Sequence, residues 1–361
     1  MNFEFSPEQL QLRDVARRFV EEKSPSSAVR AVMEGDAAFD EALWAGFAEM
    51  GFLGVNIPEE FGGLGLGYLE LCVLAEEVGR SLAPVPFSSS VCLATELLLA
   101  AGDDAQKSCC LADMASGKLI GTFTNAGGLT VRNGVLEGSC WPVADGSIAH
   151  FAIVTAQGEN GLSLHMVDLG LPGVTRTTLE TIDPSRNHAR LDFAGVLAQS
   201  LGNDTTDAAP LISAAIDKAA VLTAFEQVGG ADRALELARD YALDRMAFGR
   251  PIGSFQAIKH MLADMYVSAT LARSNAYYGA WALSTGDAEL PAAAAAARVS
   301  ATKAFQHCAR NDIQVHGGMG FTWAFDCHLY YRRANLLALN LGGLSEWEDK
   351  LISRLQSRNA A

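Results

Sequence analysis

The chain has 361 residues, enough for two or three domains at roughly 150 residues each. Residues of the AVILMFWYC set make up 49% and charged residues 19%, a balance that supports a buried core and excludes disorder as the main state. With 27 Lys+Arg against 42 Asp+Glu the formal charge is -15, so no general attraction to nucleic acid or an anionic membrane is expected, and an anionic ligand needs a local site.

The first helix is predicted from Ser6, where S-P-E-Q supplies an N-cap serine, a proline at the first helical position and a glutamine placed to close a capping box. Helical periodicity returns in AFDEALWAGFAEMGFLG and from Tyr68 to Val78, and the Pro58 and Gly62-Gly63 stretch between them forbids helix and marks an ordered loop. Residues 1–118 therefore read as a helical domain. From Leu119 to Ala198 the period switches to two, with Asn133-Gly134 as a hairpin turn, which predicts a small β domain over 119–203. Beyond Asn203-Asp204 long helices are predicted from about Asp207 to Arg245, Ser254 to Thr285 and Pro291 to His316, making 204–361 a helical bundle. The alanine run 292–297 reads as a close helix–helix contact.

The seven cysteines are scattered without a CxxC pair, which argues against both a disulfide framework and a zinc site. No apolar run has the length of a signal peptide or a bilayer span, so a reducing cytoplasm is the expected compartment. His260, His307, His316 and His328 are spread over different predicted helices and read as surface or satisfied bundle residues rather than metal ligands.

Two stretches carry chemistry. In Arg245-Met246-Ala247-Phe248-Gly249-Arg250-Pro251-Ile252-Gly253-Ser254-Phe255-Gln256 a helix is predicted to end near Phe248-Gly249, Pro251 to turn the chain and Ser254 to cap the next helix. That leaves Arg245, Phe248 and Gln256 unexplained. A guanidinium, an aromatic face and an amide at one helix corner could pair a phosphate, stack a flat ring and bond a polar edge. In Gln314-Val315-His316-Gly317-Gly318-Met319-Gly320 the glycines read either as a helix C-cap or as a place where backbone closely approaches a phosphate or ribose.

Together with Ala263-Asp264-Met265 and the Ile57-to-Gly65 loop, these motifs resemble the acyl-CoA dehydrogenase family over nearly the whole chain. The resemblance implies a mainly α fold with a β domain: an N-terminal helical domain, a middle β-barrel and a C-terminal four-helix bundle. It implies FAD as cofactor, with Arg245, Phe248, Gln256, Gln314, Gly317 and Gly318 gripping the ADP half of a flavin whose ring sits in the neighbouring subunit. It further implies an acyl-CoA substrate, a glutamate base that takes the α-proton, hydride transfer to the flavin, and an electron-transfer flavoprotein as partner.

The sequence departs from the family where the base should be. The positions that carry the glutamate correspond to Leu341 and Ala219, neither of which accepts a proton. Glu226 lies two turns beyond Ala219, displaced by roughly 10 Å along the helix, and stays open as an unorthodox base or as a residue bonding across the bundle. Glu346 and Glu348 read as solvated. The flavin-ring segment appears as Phe123-Thr124-Asn125-Ala126-Gly127-Gly128, short of several polar contacts, and Trp141 reads as barrel core or as flavin-side. An intact ADP grip beside a lost base resembles the second subunit of heteromeric acyl-CoA dehydrogenases, including those acting on steroid side-chain CoA esters. A self-sufficient homotetramer and a catalytically inert acyl-CoA-binding or scaffold homologue are the alternatives.

Overall fold

A computed structural model describes residues 5–158, 161–202 and 207–360, so the expected boundary between 203 and 204 lies outside the described residues. Helix α1 (Pro7–Lys23) begins as its sequence dictates: Ser6 Oγ accepts from Gln9 N at 3.3 Å while Gln9 Oε1 accepts from Ser6 N at 2.9 Å. Helices α2 (Ser26–Glu34), α3 (Glu41–Glu49) and α4 (Tyr68–Arg80) follow. The glycine-rich loop before α4 holds only short 3-10 turns, Phe52–Gly54 and Glu59–Phe61. A π-helical segment (Phe87–Ala94), α5 (Thr95–Ala101) and α6 (Asp104–Ala115) complete the helices that precede the strands.

By contacts the chain divides into two units. The unit made of Arg30–Gly67 and Pro84–Ala219 holds the β domain. Its strands β1 (Gly121–Thr124), β2 (Leu129–Arg132), β3 (Val135–Ala144), β4 (Phe151–Gly158), β5 (Gly161–Asp168), β6 (Val174–Thr178), β7 (His188–Leu197) and β8 (Gln199–Ser200) form one eight-stranded sheet in the order β6-β7-β3-β2-β4-β5-β8, with β1 parallel beside β4. Asn133 and Gly134 both have positive φ, 51° and 75°, as the two-residue β2–β3 hairpin requires. In the same unit Phe47 packs edge-on against Phe52 at 5.7 Å and Phe87 at 6.2 Å, anchoring a buried core.

The second unit gathers Met1–Val29, Tyr68–Ala83 and Ala220–Ala361. It contains most of α7 (Ala209–Asp244), then α8 (Gln256–Thr285), α9 (Leu290–His316), α10 (Cys327–Leu339) and α11 (Leu344–Ala360). The alanine run lies on α9, with Ala293, Ala294, Ala295 and Ala297 wholly buried, and Ala297 abuts Gly279 of α8, so small side chains set the close contact expected of them. No described helix is long and apolar enough to cross a membrane.

Helices α4 and α7 touch backbone to backbone. A Cβ at Gly79 would stand 1.8 Å from Glu226 O, and one at Gly229 would stand 2.0 Å from Glu76 O. Neither oxygen belongs to a side chain that can swing away, so Gly229→Ala must push the helices apart. Overpacking of this kind costs about 1–3 kcal/mol or more, and thermal unfolding should show a clear drop in midpoint. An unchanged midpoint would mean that this crossing is wrongly placed.

Candidate functional site

The stretch 245–256 is a small hairpin rather than an extended helix end. Helix α7 stops at Asp244, four residues before the expected Phe248, and Arg245 N donates to Tyr241 O at 2.8 Å to close its last turn. Strand β9 (Met246–Ala247) then pairs antiparallel with β10 (Arg250–Pro251), and Ile252 N donates to Arg245 O at 2.8 Å across its base. Ser254 does not cap α8: its Oγ donates to Pro251 O at 2.7 Å, and Phe255 takes the N-cap position without a side-chain cap bond. The turn residues Phe248 and Gly249 both have positive φ, 52° and 78°. For a bulky residue that conformation costs roughly 1–2 kcal/mol. Phe248 recovers little of it inside the chain, because its ring is 95% exposed. A strained, presented aromatic ring points to a contact outside this chain.

Arg245 and Gln256 are also exposed, and Arg245 makes no ion pair among the described residues. Arg250, by contrast, is engaged over the Phe255 ring, 4.1 Å from its centroid. Arg245 is thus the cation this corner leaves available.

The glycines after α9 have separable reasons. Gly317 adopts φ 61°, ψ -138°, a conformation closed to other residues. Gly320 is fixed by packing, since a Cβ there would stand 2.6 Å from Ile313 O. Gly318 answers to neither: its φ is not positive and a Cβ would meet nothing within 4 Å. A C-cap explains Gly317 and packing explains Gly320, whereas Gly318 keeps a face of bare backbone open toward solvent. Gln314, on the last turn of α9, is exposed beside it. The hairpin and the glycine turn meet through two rings, because the buried His316 imidazole stacks on the half-buried Tyr241 ring at 4.0 Å and 25°. A free guanidinium, a presented aromatic ring, two amides and an uncovered glycine backbone are the donor set for phosphate, flat ring and polar edges, and they fit the adenine-dinucleotide half expected from the sequence.

The catalytic half reads differently. Ala219 is buried, and Leu341 sits at φ 63° with its carbonyl accepting from Trp347 Nε1 at 2.9 Å. Glu226 is 2% exposed in the bundle interior, its Oε1 3.7 Å from Arg333 Nη1. The nearby Arg298 is lowered to about 10 by burial, a shift the Glu226 charge opposes. Arg298 also donates to the carbonyls of Leu337 and Asn340, tying down the segment that leads to Leu341. Glu226 thus lies at ion-pair distance from Arg333 across the bundle. Glu346 pairs with Lys350 at 2.7 Å and Glu348 with Lys303 at 2.6 Å, both at the surface, as solvated carboxylates should.

Trp141 corrects a sequence reading. A register shift in β3 between Cys140 and Val143 keeps both inward at 0% exposure and leaves Trp141 outward at 52%, under the Arg190 guanidinium at 4.6 Å, so it is not barrel core. Of the other histidines, His260 is exposed, His307 lies 3.1 Å from Asn311 Nδ2 and His328 stacks on Trp323 at 4.5 Å. Sequence reasoning also missed buried carboxylate clusters. Arg273 bridges Glu76 and Asp232, and Glu96, 2% exposed, accepts from Asn56 Nδ2 and pairs with Lys218 at 3.3 Å. No short-range motif marks them.

Comparison with known proteins agrees with this layout. Residues 6–118 match the acyl-CoA dehydrogenase N-terminal domain and residues 209–354 the acyl-CoA dehydrogenase C-terminal domain. The chain belongs to the acyl-CoA dehydrogenase family and is an oxidoreductase of that type. Among its relatives is the acyl-CoA dehydrogenase IpdE2 of Mycobacterium tuberculosis, 36% identical over 334 residues that cover 91% of this chain and 92% of that protein. Among solved structures, the ChsE4-ChsE5 complex from Mycobacterium tuberculosis matches with TM-score 0.91 and 26% identity over 99% of both chains. The Tcur3481-Tcur3483 steroid ACAD matches with TM-score 0.89 and 29% identity over 98% of this chain and 99% of that one.

Proposed function

We propose that this chain is one subunit of a heteromeric, FAD-dependent dehydrogenase that introduces an α,β double bond into a bulky acyl-CoA thioester, with a steroid side-chain ester as the leading case. The observation that carries the reading is its one-sidedness. Arg245, Phe248, Gln256, Gln314, Gly317 and Gly318 all face solvent, while both base positions are apolar and Glu226 lies 3.7 Å from the buried Arg333. Relatives named for a steroid ACAD and for a ChsE4-ChsE5 complex support the substrate class and the pairing with a homologous subunit. An inert scaffold would have no need of a strained, exposed Phe248 or an available Arg245.

In this reading Arg245 pairs with the pyrophosphate, Phe248 stacks on a flat ring, Gln256 and Gln314 bond polar edges, and Gly317-Gly318 lets backbone N–H groups approach. Bound FAD supplies the hydride acceptor. The partner subunit brings the carboxylate that takes the α-proton, and an electron-transfer flavoprotein is the final oxidant. Segments 1–118, 119–203 and 204–361 are its working domains, four chains assemble as a dimer of dimers, and the compartment is a reducing cytoplasm.

The test compares this chain purified alone with the chain co-expressed with a homologous subunit, by flavin absorbance and sedimentation mass. Tight FAD and a tetramer mass are expected only for the co-expressed assembly. Full FAD content with dehydrogenase activity from the chain alone, or a single-chain mass at micromolar concentration for the co-expressed sample, would overturn the reading.

A further inference from the structure

Asp312, His316 and Tyr241 are not themselves members of the proposed dinucleotide grip, yet they sit between its two halves. Tyr241 is one turn before Arg245 and its carbonyl accepts from Arg245 N at 2.8 Å. His316 is the residue before Gly317. The two rings stack at 4.0 Å, and Phe325 meets both edge-on, 5.6 Å from Tyr241 and 5.3 Å from His316. His316 Nδ1 lies 2.8 Å from Asp312 O and 3.0 Å from Asp312 Oδ1. Two acceptor oxygens around one ring nitrogen require that nitrogen to carry the proton, which fixes the plane of the imidazole.

The arrangement is costly, and the cost needs a reason. Asp312 is 0% exposed, and burial raises its carboxyl, an effect opposed by the bond to His316, the His316 charge and the charge of Arg233 on α7. Burial disfavours the imidazolium of His316, but the bonds to Asp312 outweigh it and raise the group above 6.5. Asp312, His316 and Cys327 offer donor atoms within 4.8 Å of one another, the spacing of a metal site. Two of the three have hydrogen-bond partners within the chain: His316 Nδ1 donates to the Asp312 backbone O, and the Cys327 thiol, pushed up to about 12 by burial, donates to Gly320 O at 3.3 Å, while the Asp312 carboxylate meets His316 Nδ1 at ion-pair distance. A helix end needs only a glycine cap. A fixed ring clamped against the helix that leads into Arg245 does more than cap.

We propose that Asp312, His316 and Tyr241 form a positioning joint that holds the Arg245–Pro251 hairpin and the Gly317-Gly318 turn at the separation the dinucleotide needs. Asp312 orients the imidazole, the imidazole indexes Tyr241, and Tyr241 carries the hairpin. The inference rests on the FAD reading above, and the experiment separates the two.

The FAD dissociation constant and the visible circular dichroism of the flavin are measured on the co-expressed assembly for Tyr241→Ala, Tyr241→Phe, His316→Ala, Asp312→Asn and Arg245→Ala. Tyr241→Ala and His316→Ala are expected to weaken FAD about 10-fold or more in the folded fraction and to alter the flavin signal. Tyr241→Phe, which keeps the ring, should restore near-parental binding. Asp312→Asn, nearly isosteric, should fall between and covers the case in which His316→Ala fails to fold. If Arg245→Ala leaves FAD as tight as the parent, the dinucleotide reading itself fails. If Arg245→Ala releases FAD while Tyr241→Ala and Asp312→Asn lower only the melting temperature, the joint is merely structural and this inference alone fails. Stoichiometric zinc in the parent, lost on His316→Ala, would also overturn it in favour of a metal site.

Discussion

Arg245→Ala is expected to loosen FAD in the assembled enzyme by roughly 10- to 160-fold, the fold-change that follows from about 1.5–3 kcal/mol for a hydrogen bond to a charged group. The size of the effect comes from the lack of a substitute. The chain carries a formal charge of -15, and the adjacent Arg250 is already committed to the Phe255 ring. Arg245 has no ion pair among the described residues, so removing it strands no buried carboxylate, and the loss reads out as ligand affinity rather than as folding. Gln256→Ala should cost less, about 0.5–1.5 kcal/mol, because a neutral amide bond competes closely with water. Equilibrium dialysis of the co-expressed assembly measures both. FAD retention by the Arg245→Ala assembly equal to the parent would remove this residue from the site.

What the sequence reveals of the fold divides by distance along the chain. The Ser6–Gln9 capping box and the Asn133-Gly134 hairpin are written within a few neighbouring residues, and the structure realises both. Strand β6, VTRTT, is almost wholly exposed on the edge of the sheet and so lacks the in-and-out burial of a half-buried strand. The late helix end expected at Phe248 fails for a related reason. A phenylalanine at positive φ contradicts every local preference, so propensity extends α7, whereas the structure turns the chain at Arg245 and holds the ring out at the hairpin tip. The Arg273–Glu76 pair joins residues 197 apart and the Arg273–Asp232 pair residues 41 apart, so neither leaves a local trace. The candidate cofactor residues stand out as motifs because an exposed grip has to be written locally. The link between their two halves, Tyr241 to His316, emerges only when α7 and α9 are folded together.

Glu226→Gln separates the remaining readings, because a base and a structural ion fail in different ways. Glu226 carries negative charge into an interior that also holds Arg333 and Arg298, both nearly wholly buried. Neutralising it leaves two buried guanidinium groups without that charge, and breaking a buried pair by removing one partner typically costs about 3–5 kcal/mol. Thermal unfolding of the co-expressed assembly should therefore show a large drop in midpoint. Turnover per folded assembly should stay within about twofold of the parent, since loss of a general base would cost 10²-fold or more. If the proposed heteromer holds, substitution of a glutamate in the partner subunit should abolish turnover without the loss of stability. The reverse pattern, a stable Glu226→Gln chain that has lost dehydrogenase activity which the parent shows alone, would make Glu226 the base and this protein a self-sufficient homotetramer.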